Sequence, residues 1–348
     1  MKRRFWLLAL FGLAVGLGIP LLLGGRELAA VFHGLSWHLP AFLTLMIFIA
    51  WQFNVARVKL LLGGLGKKAG YLRLLPVVMA TEFAYCATPG GAGGHLTYAY
   101  LLERFGITMP QGLALCATDQ VMDILFFLSA TGGILLYTLL APTDLHPAWQ
   151  LLGFGLLLLA VLAAIWVAIL YFRPFLAGCN RLLRRLPVSA ARRRRLLRAL
   201  IDFYRGLQLV RRFSPLRLLG VYLGSFGYWL LRYSVLYVVV RGLGGRLSWS
   251  YCFLVQMLAH TVGQATMIPG GSGGAEASSG LLLAPVLGGG QTAAAILLWR
   301  FATFYLYLLA GGPAFALLAG ARLWRQLTGG RDRQADDRLL SPNSPGRD

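Results

Sequence analysis

Two short segments, Pro89-Gly90-Gly91-Ala92-Gly93-Gly94 and Pro269-Gly270-Gly271-Ser272-Gly273-Gly274, agree at five of six positions and stand 180 residues apart in an otherwise apolar chain. Neither can stay helical, because proline removes a backbone donor and each glycine costs about 1 kcal/mol relative to alanine. Backbone freed at membrane depth is tolerated only where protein or a wet cavity surrounds it. A helix restarting near Gly93 or Gly274 would also present unpaired N–H groups and the positive end of its dipole, which suit a phosphate or a carboxylate. Glu276, in the first turn of the second restart, is an alternative partner for that dipole.

Charged residues point the same way. Glu82, Asp119, Asp123, Arg232, Glu276 and Arg300 all fall in apolar runs, joined by His95, His260, Gln52 and Asn54. A charge at the bilayer centre costs about 2.5–3.5 kcal/mol on insertion scales, so such groups pair or line water. Asp119 and Asp123 are four apart and share a helix face. Arg300 is the candidate for a phosphate, since its guanidinium offers two parallel hydrogen bonds, and the aspartates are expected to hold it when the site is empty. A bland alternative is that an aspartate pairs with Arg300 only to neutralise a helix contact. The candidate substrate-binding set is Glu82, Pro89, Gly90, Gly91, Gly93, Gly94, His95, Asp119, Asp123, Pro269, Gly270, Gly271, Gly273, Gly274, Glu276 and Arg300. No catalytic residue, metal site or cofactor is assigned: Cys86, Cys116, Cys179 and Cys252 show no paired spacing, and no phosphate-loop or dinucleotide pattern is present.

The elements that must position these residues follow from hydropathy. The 348 residues are 57% hydrophobic and 13% charged, gathered into runs long enough to cross a hydrocarbon core of about 30 Å. Six full spans are expected, at Phe5 to Gly25, Leu39 to Leu62, Gln111 to Leu140, Trp149 to Phe172, Leu216 to Arg241 and Thr292 to Ala319, the first read as uncleaved. Leu74 to Phe105 and Tyr251 to Val286 are each broken by a glycine cluster and are read as re-entrant hairpins.

Charge sets the topology. The net charge of +21 flanks spans instead of forming a patch on a polar domain, which favours membrane topology over nucleic acid. With Lys2, Arg3 and Arg4 inside, span two delivers Arg57, Lys59, Lys67, Lys68 and Arg73 to the cytoplasm. If both glycine segments dip in and return, the thirteen arginines between Arg173 and Arg217 also lie inside. Of the 33 basic residues only Arg26, Arg241 and Arg246 then face outward, and Arg232 and Arg300 lie within spans.

The same spacing maps 39–140 onto 219–320, and the odd number of crossings between the hairpins makes the repeat inverted. The fold class expected is therefore an all-α polytopic membrane protein, with six spans and two broken-helix hairpins in an inverted repeat over 1–328. Pro187 to Arg212, within the basic segment 173–217, has the spacing of an amphipathic helix held by anionic lipid headgroups. The polar tail, 329–348, is expected to be disordered.

The glycine motifs in their hairpins, with Arg300 following the second, resemble the transmembrane domain of lysylphosphatidylglycerol synthases, a flippase-like family. Ile268 to Glu276 carries the most specific likeness, to a Pro-Gly-Gly-x-Gly-x-x-Glu signature; His95 stands where an acidic residue is usual, and Asp119-Gln120 replaces an arginine-containing pair. The resemblance implies a multi-pass protein of a bacterial cytoplasmic membrane, both termini cytoplasmic, that moves a phospholipid or lipid-linked head group between leaflets. Larger members carry a soluble synthase domain for which the short tail leaves no room, so no aminoacyl transfer is expected. The alternatives are an integral membrane transferase, with Glu82, Asp119 or Glu276 as base, or a scaffold for a soluble lipid-modifying enzyme.

Overall fold

The computed structural model of the protein describes residues 18–25, 27–140, 171–185 and 190–318, with isolated positions between 156 and 170. Every regular element among them is helical. In chain order these are α1 (Glu27–His33), α2 (His38–Gly64), α3 (Tyr71–Ala87), α4 (Ala92–Leu102), α5 (Met109–Leu140), α6 (Phe172–Arg185), α7 (Ala190–Val210), α8 (Pro215–Gly242), α9 (Trp249–Ala265), α10 (Gly274–Leu287) and α11 (Gly289–Leu318). Four helices, α2, α5 over Met109–Tyr137, α8 and α11, are long and apolar enough to cross a membrane. They agree within a few residues with four of the six expected spans. More than half of the first expected span and of the one at Trp149 to Phe172 lies outside the described residues, as do the tail and Arg26.

Each glycine segment folds as a helical hairpin: α3 packs along α4 and α9 along α10, with a single 3₁₀ turn, Pro89–Gly91 or Pro269–Gly271, between the arms. The order long helix, hairpin, long helix therefore occurs twice, as α2 to α5 and as α8 to α11. The starts are set locally. Ser214 and Ser248 take extended backbone and accept hydrogen bonds from Arg217 N and Tyr251 N, capping α8 and α9.

The most extensive helix pairing joins α2 to α8. Small residues make it possible: Gly220 and Gly224 on α8 form a glycine-x-x-x-glycine pair, and Gly227 continues the stripe. A Cβ at Gly224 would lie 2.5 Å from Arg57 Cγ, and one at Gly227 would lie 2.6 Å from the Phe53 ring. Between helices in lipid, such close backbone approach supplies the packing that a hydrophobic effect cannot. Leu43, Ile47, Val55, Val221, Val235 and Leu236 complete this core and are fully shielded.

One expectation needs correction. Arg57, expected to emerge into the cytoplasm, is 2% exposed within α2, because α2 continues to Gly64 and α5 supplies two carboxylates to receive the side chain. The expected amphipathic helix is present as α7, and one edge of it packs on α5, where a Cβ at Gly206 would meet Ala114 Cβ at 2.7 Å.

Gly227→Leu tests the α2–α8 contact. Overpacking there should cost about 1–3 kcal/mol, read as a clear drop in Tm of the full chain in detergent; an unchanged Tm would contradict the close approach.

Candidate functional site

The backbone of the two breaks is built on positive φ. Gly90 and Gly91 stand at φ 57° and 70°, and Gly270 and Gly271 both at 65°, a left-handed region that side chains rarely adopt. Space forbids a side chain as well: a Cβ at Gly271 would lie 2.8 Å from the Gly263 backbone of α9, and one at Gly270 would lie 2.0 Å from the Phe304 ring of α11. The two 3₁₀ turns touch each other, so the residues that break the hairpins are neighbours in space although far apart in sequence.

Both helix restarts already have an internal partner. Thr88 Oγ1 accepts from Gly93 N at 2.9 Å, and Glu276 Oε2 accepts from Gly273 N at 2.8 Å. The alternative weighed for Glu276, capping its own helix, is therefore the one realised, and the expected anion seat at these N-termini is taken by side chains.

The buried charges are partnered differently from expectation. Asp119 and Asp123 do not hold Arg300. They hold Arg57: its Nη2 lies 2.7 Å from Asp119 Oδ1 and 2.6 Å from Asp123 Oδ1, its Nε donates to Asp119 Oδ1 at 2.9 Å, and its Nη1 donates to Asn54 Oδ1 at 2.9 Å. The reason is spatial. Asp119 and Asp123 face α2 from the α5 side, whereas Arg300 sits at the second break.

Arg300 donates from Nη1 to Gly270 O at 3.0 Å and from Nη2 to Gly271 O at 3.3 Å, and its Nε makes an ionic contact of 2.7 Å with Glu276 Oε1, off the line of an aligned hydrogen bond. Its fork clamps the break itself. A π-helical turn, Phe301–Tyr305, follows it directly and sets Thr303 and Phe304 beside it.

Glu82 sits between the two clusters. Its Oε1 accepts from Asn54 Nδ2 at 2.7 Å and from Tyr228 Oη at 2.9 Å, while Oε2 faces Arg232 at 3.6 Å. Arg232 in turn donates to Tyr228 Oη at 2.6 Å and lies 4.7 Å from the centre of the Tyr307 ring, a cation–π contact that spreads a desolvated charge. His95 Nδ1 is 2.8 Å from Tyr85 Oη and 3.3 Å from Cys116 Sγ.

Two adjoining cavities result. The larger, about 190 Å³, is walled by Asn54, Arg57, Glu82, His95, Tyr98, Asp119, Gln120, Asp123, Tyr228 and Arg232, among others. The smaller, about 80 Å³, reaches Gly270, Gly271, Arg300, Thr303 and Phe304. Tyr85, Gly90, Gly91, Arg232, His260 and Gln264 form the wall that they share. Of the predicted set, Glu82, Gly90, Gly91, His95, Asp119, Asp123, Gly270, Gly271 and Arg300 line one cavity or the other, whereas Pro89, Gly93, Gly94, Pro269, Gly273, Gly274 and Glu276 line neither. Sequence reasoning missed Arg57, Tyr85, Tyr228 and Gln264. Arg57 had a signal, because it lies inside the apolar run Leu39 to Leu62. Gln120 and Arg300, 180 residues apart in sequence, line different cavities, Gln120 the larger and Arg300 the smaller.

Arg300→Lys keeps the charge but cannot hold both carbonyls. It should lower stability by about 1–3 kcal/mol, the cost of leaving a buried acceptor unsatisfied, measured as Tm in detergent; an unaltered Tm would show that the fork does not secure the break.

Comparison with known proteins matches residues 9–311 to a family model described as the lysylphosphatidylglycerol synthase TM region. The chain is 23% identical over 291 residues to a UPF0104 membrane protein of Archaeoglobus fulgidus, covering 80% of this chain and 86% of that one. It is 25% identical over 247 residues to a UPF0104 membrane protein of Methanothermobacter thermautotrophicus, covering 68% and 72%.

Proposed function

The chain belongs to the lysylphosphatidylglycerol synthase transmembrane-region family, and from that premise we propose that this multi-pass membrane protein moves a phospholipid or lipid-linked head group between leaflets and is not an enzyme. One observation carries the proposal: a cavity of about 190 Å³ whose wall combines the guanidiniums of Arg57 and Arg232 with the carboxylates of Glu82, Asp119 and Asp123. Mixed charge of this kind suits a head group bearing both a phosphate and a polar or cationic substituent. The volume fits a head group better than a whole lipid, so the acyl chains stay in the bilayer while the head group crosses.

The wider architecture is part of the proposal. Six spans enclose the two hairpins, which enter from opposite faces in an inverted repeat and meet at their broken tips near the midplane. Transporters built from discontinuous helices place their sites in this way. Arg232, shared by both cavities and caged by Tyr228, Trp229 and Tyr307, takes the phosphate on this reading; Arg300, chosen from sequence, secures the second break. Both termini and the basic segment around α7 lie on the cytoplasmic side of the inner membrane, where the exposed arginines of α7 attract anionic lipid.

The test is lipid movement in vesicles reconstituted with the full chain, using a fluorescent phospholipid and a membrane-impermeant quencher. Wild type should expose label from the inner leaflet. Gly91→Val, which places a β-branched side chain at φ 70°, should slow movement at least tenfold, whereas Arg205→Ala, on an exposed face of α7, should leave it unchanged. Quenching equal to that of protein-free vesicles would refute transport. Appearance of a modified lipid after adding a candidate donor would favour the transferase alternative.

A further inference from the structure

Among the described residues, the buried charges in ion pairs do not sum to zero. Arg300 is matched by Glu276 and Arg232 by Glu82, but Arg57 is matched by two aspartates, Asp119 and Asp123, at 2.7 and 2.6 Å. Both contacts use Oδ1, and among the described residues no donor reaches either Oδ2. A net negative charge in a membrane interior is strongly disfavoured, and two carboxylates converging on one guanidinium relieve it when the pair takes up one proton.

A second, independent feature lies in the same cavity. Tyr98 and Thr81, only 5% and 6% exposed, line it, and the hydroxyl of each has no hydrogen-bond partner among the described residues. A buried hydroxyl left unpaired is costly, and a polar space of about 190 Å³ beside it has room for water.

We propose that the Asp119–Asp123 pair is a proton-binding site, loaded with one exchangeable proton through the larger cavity. The groups facing the pair are Arg57 from α2, Glu82 and Tyr85 from α3, His95 and Tyr98 from α4, Cys116 on α5 itself, and Tyr228 and Arg232 from α8, with His260 of α9 across the cavity. α7 also packs on α5, but its Asp202 and Arg205 pair with each other at the surface. Arg57 holds one oxygen of each aspartate and leaves the other to the proton. His95 already has Tyr85 Oη at 2.8 Å on its Nδ1. The proposal does not rest on lipid being the substrate.

Infrared difference spectroscopy on the full chain in phosphatidylethanolamine–phosphatidylglycerol vesicles tests it. Stepping wild type from neutral to alkaline pH should bleach the carbonyl band of a protonated carboxylic acid. The band should fall to less than half in Asp119→Asn and in Asp123→Asn and persist in Glu82→Gln. A wild type without the band at neutral pH overturns the proposal, and this needs no variant to fold. So does a band that survives in both folded aspartate variants. A band abolished by exchanging choline for sodium at constant pH also overturns it, because sodium then carries the charge. Failure of lipid movement with the band intact would remove the lipid reading and leave the proton site standing.

Discussion

A guanidinium buried between two aspartates is the constraint on which the rest of this structure depends. Arg57 projects from the last third of α2 and is met from α5 by Asp119 and Asp123 and from its own helix by Asn54. Losing one partner of such a buried set costs about 3–5 kcal/mol, since the remaining charge is left desolvated. The set therefore fixes the rotation of α2 and α5 about their axes, and with it which faces turn toward the hairpin α3–α4 that lies between them in sequence. Asn54 also donates to Glu82, which carries the same fixing onward to α3 and, through Tyr228, to α8.

The glycine breaks can exist only because these helices surround them. A 3₁₀ turn with two consecutive left-handed residues leaves backbone groups that lipid cannot satisfy. At the second break Arg300 answers two of the carbonyls and Glu276 answers an N–H; at the first, Thr88 performs the capping without any charge. The halves thus solve one backbone problem with different chemistry, and the difference decides where free polar surface remains. The charged wall of the larger cavity gathers around the first hairpin, because there the carboxylates and guanidiniums are not consumed by the break itself.

Much of this was legible in the sequence. Four spans, both hairpins and their breaks follow from hydropathy and from proline–glycine punctuation, because those signals are local and the membrane leaves few other ways to satisfy a backbone. The presence of intramembrane charge at Glu82, Asp119, Asp123, Arg232, Glu276 and Arg300 was equally plain. Pairing was not. Which aspartate meets which arginine depends on helix rotation and on which hairpin intervenes, and neither leaves a mark on the one-dimensional chain. Arg57 shows the cost of counting charges by loop: the positive-inside rule assigns it to the cytoplasm, whereas it lies within α2, seven residues before its end, and is buried there. Tyr85 and Tyr228 were invisible for another reason, since a tyrosine in an apolar run reads as core until a carboxylate or an imidazole is found beside its hydroxyl.

The dependence of the site on Arg57 is open to one direct measurement, a double-mutant cycle in which Arg57→Met, Asp119→Leu and the pair together are unfolded in the same detergent. If the guanidinium and the carboxylate act as a unit, the double variant will be more stable than the sum of the single losses predicts, by about 1–3 kcal/mol. Losses that add to within about 0.5 kcal/mol would mean that the two residues are energetically independent and that something other than this contact holds α2 against α5.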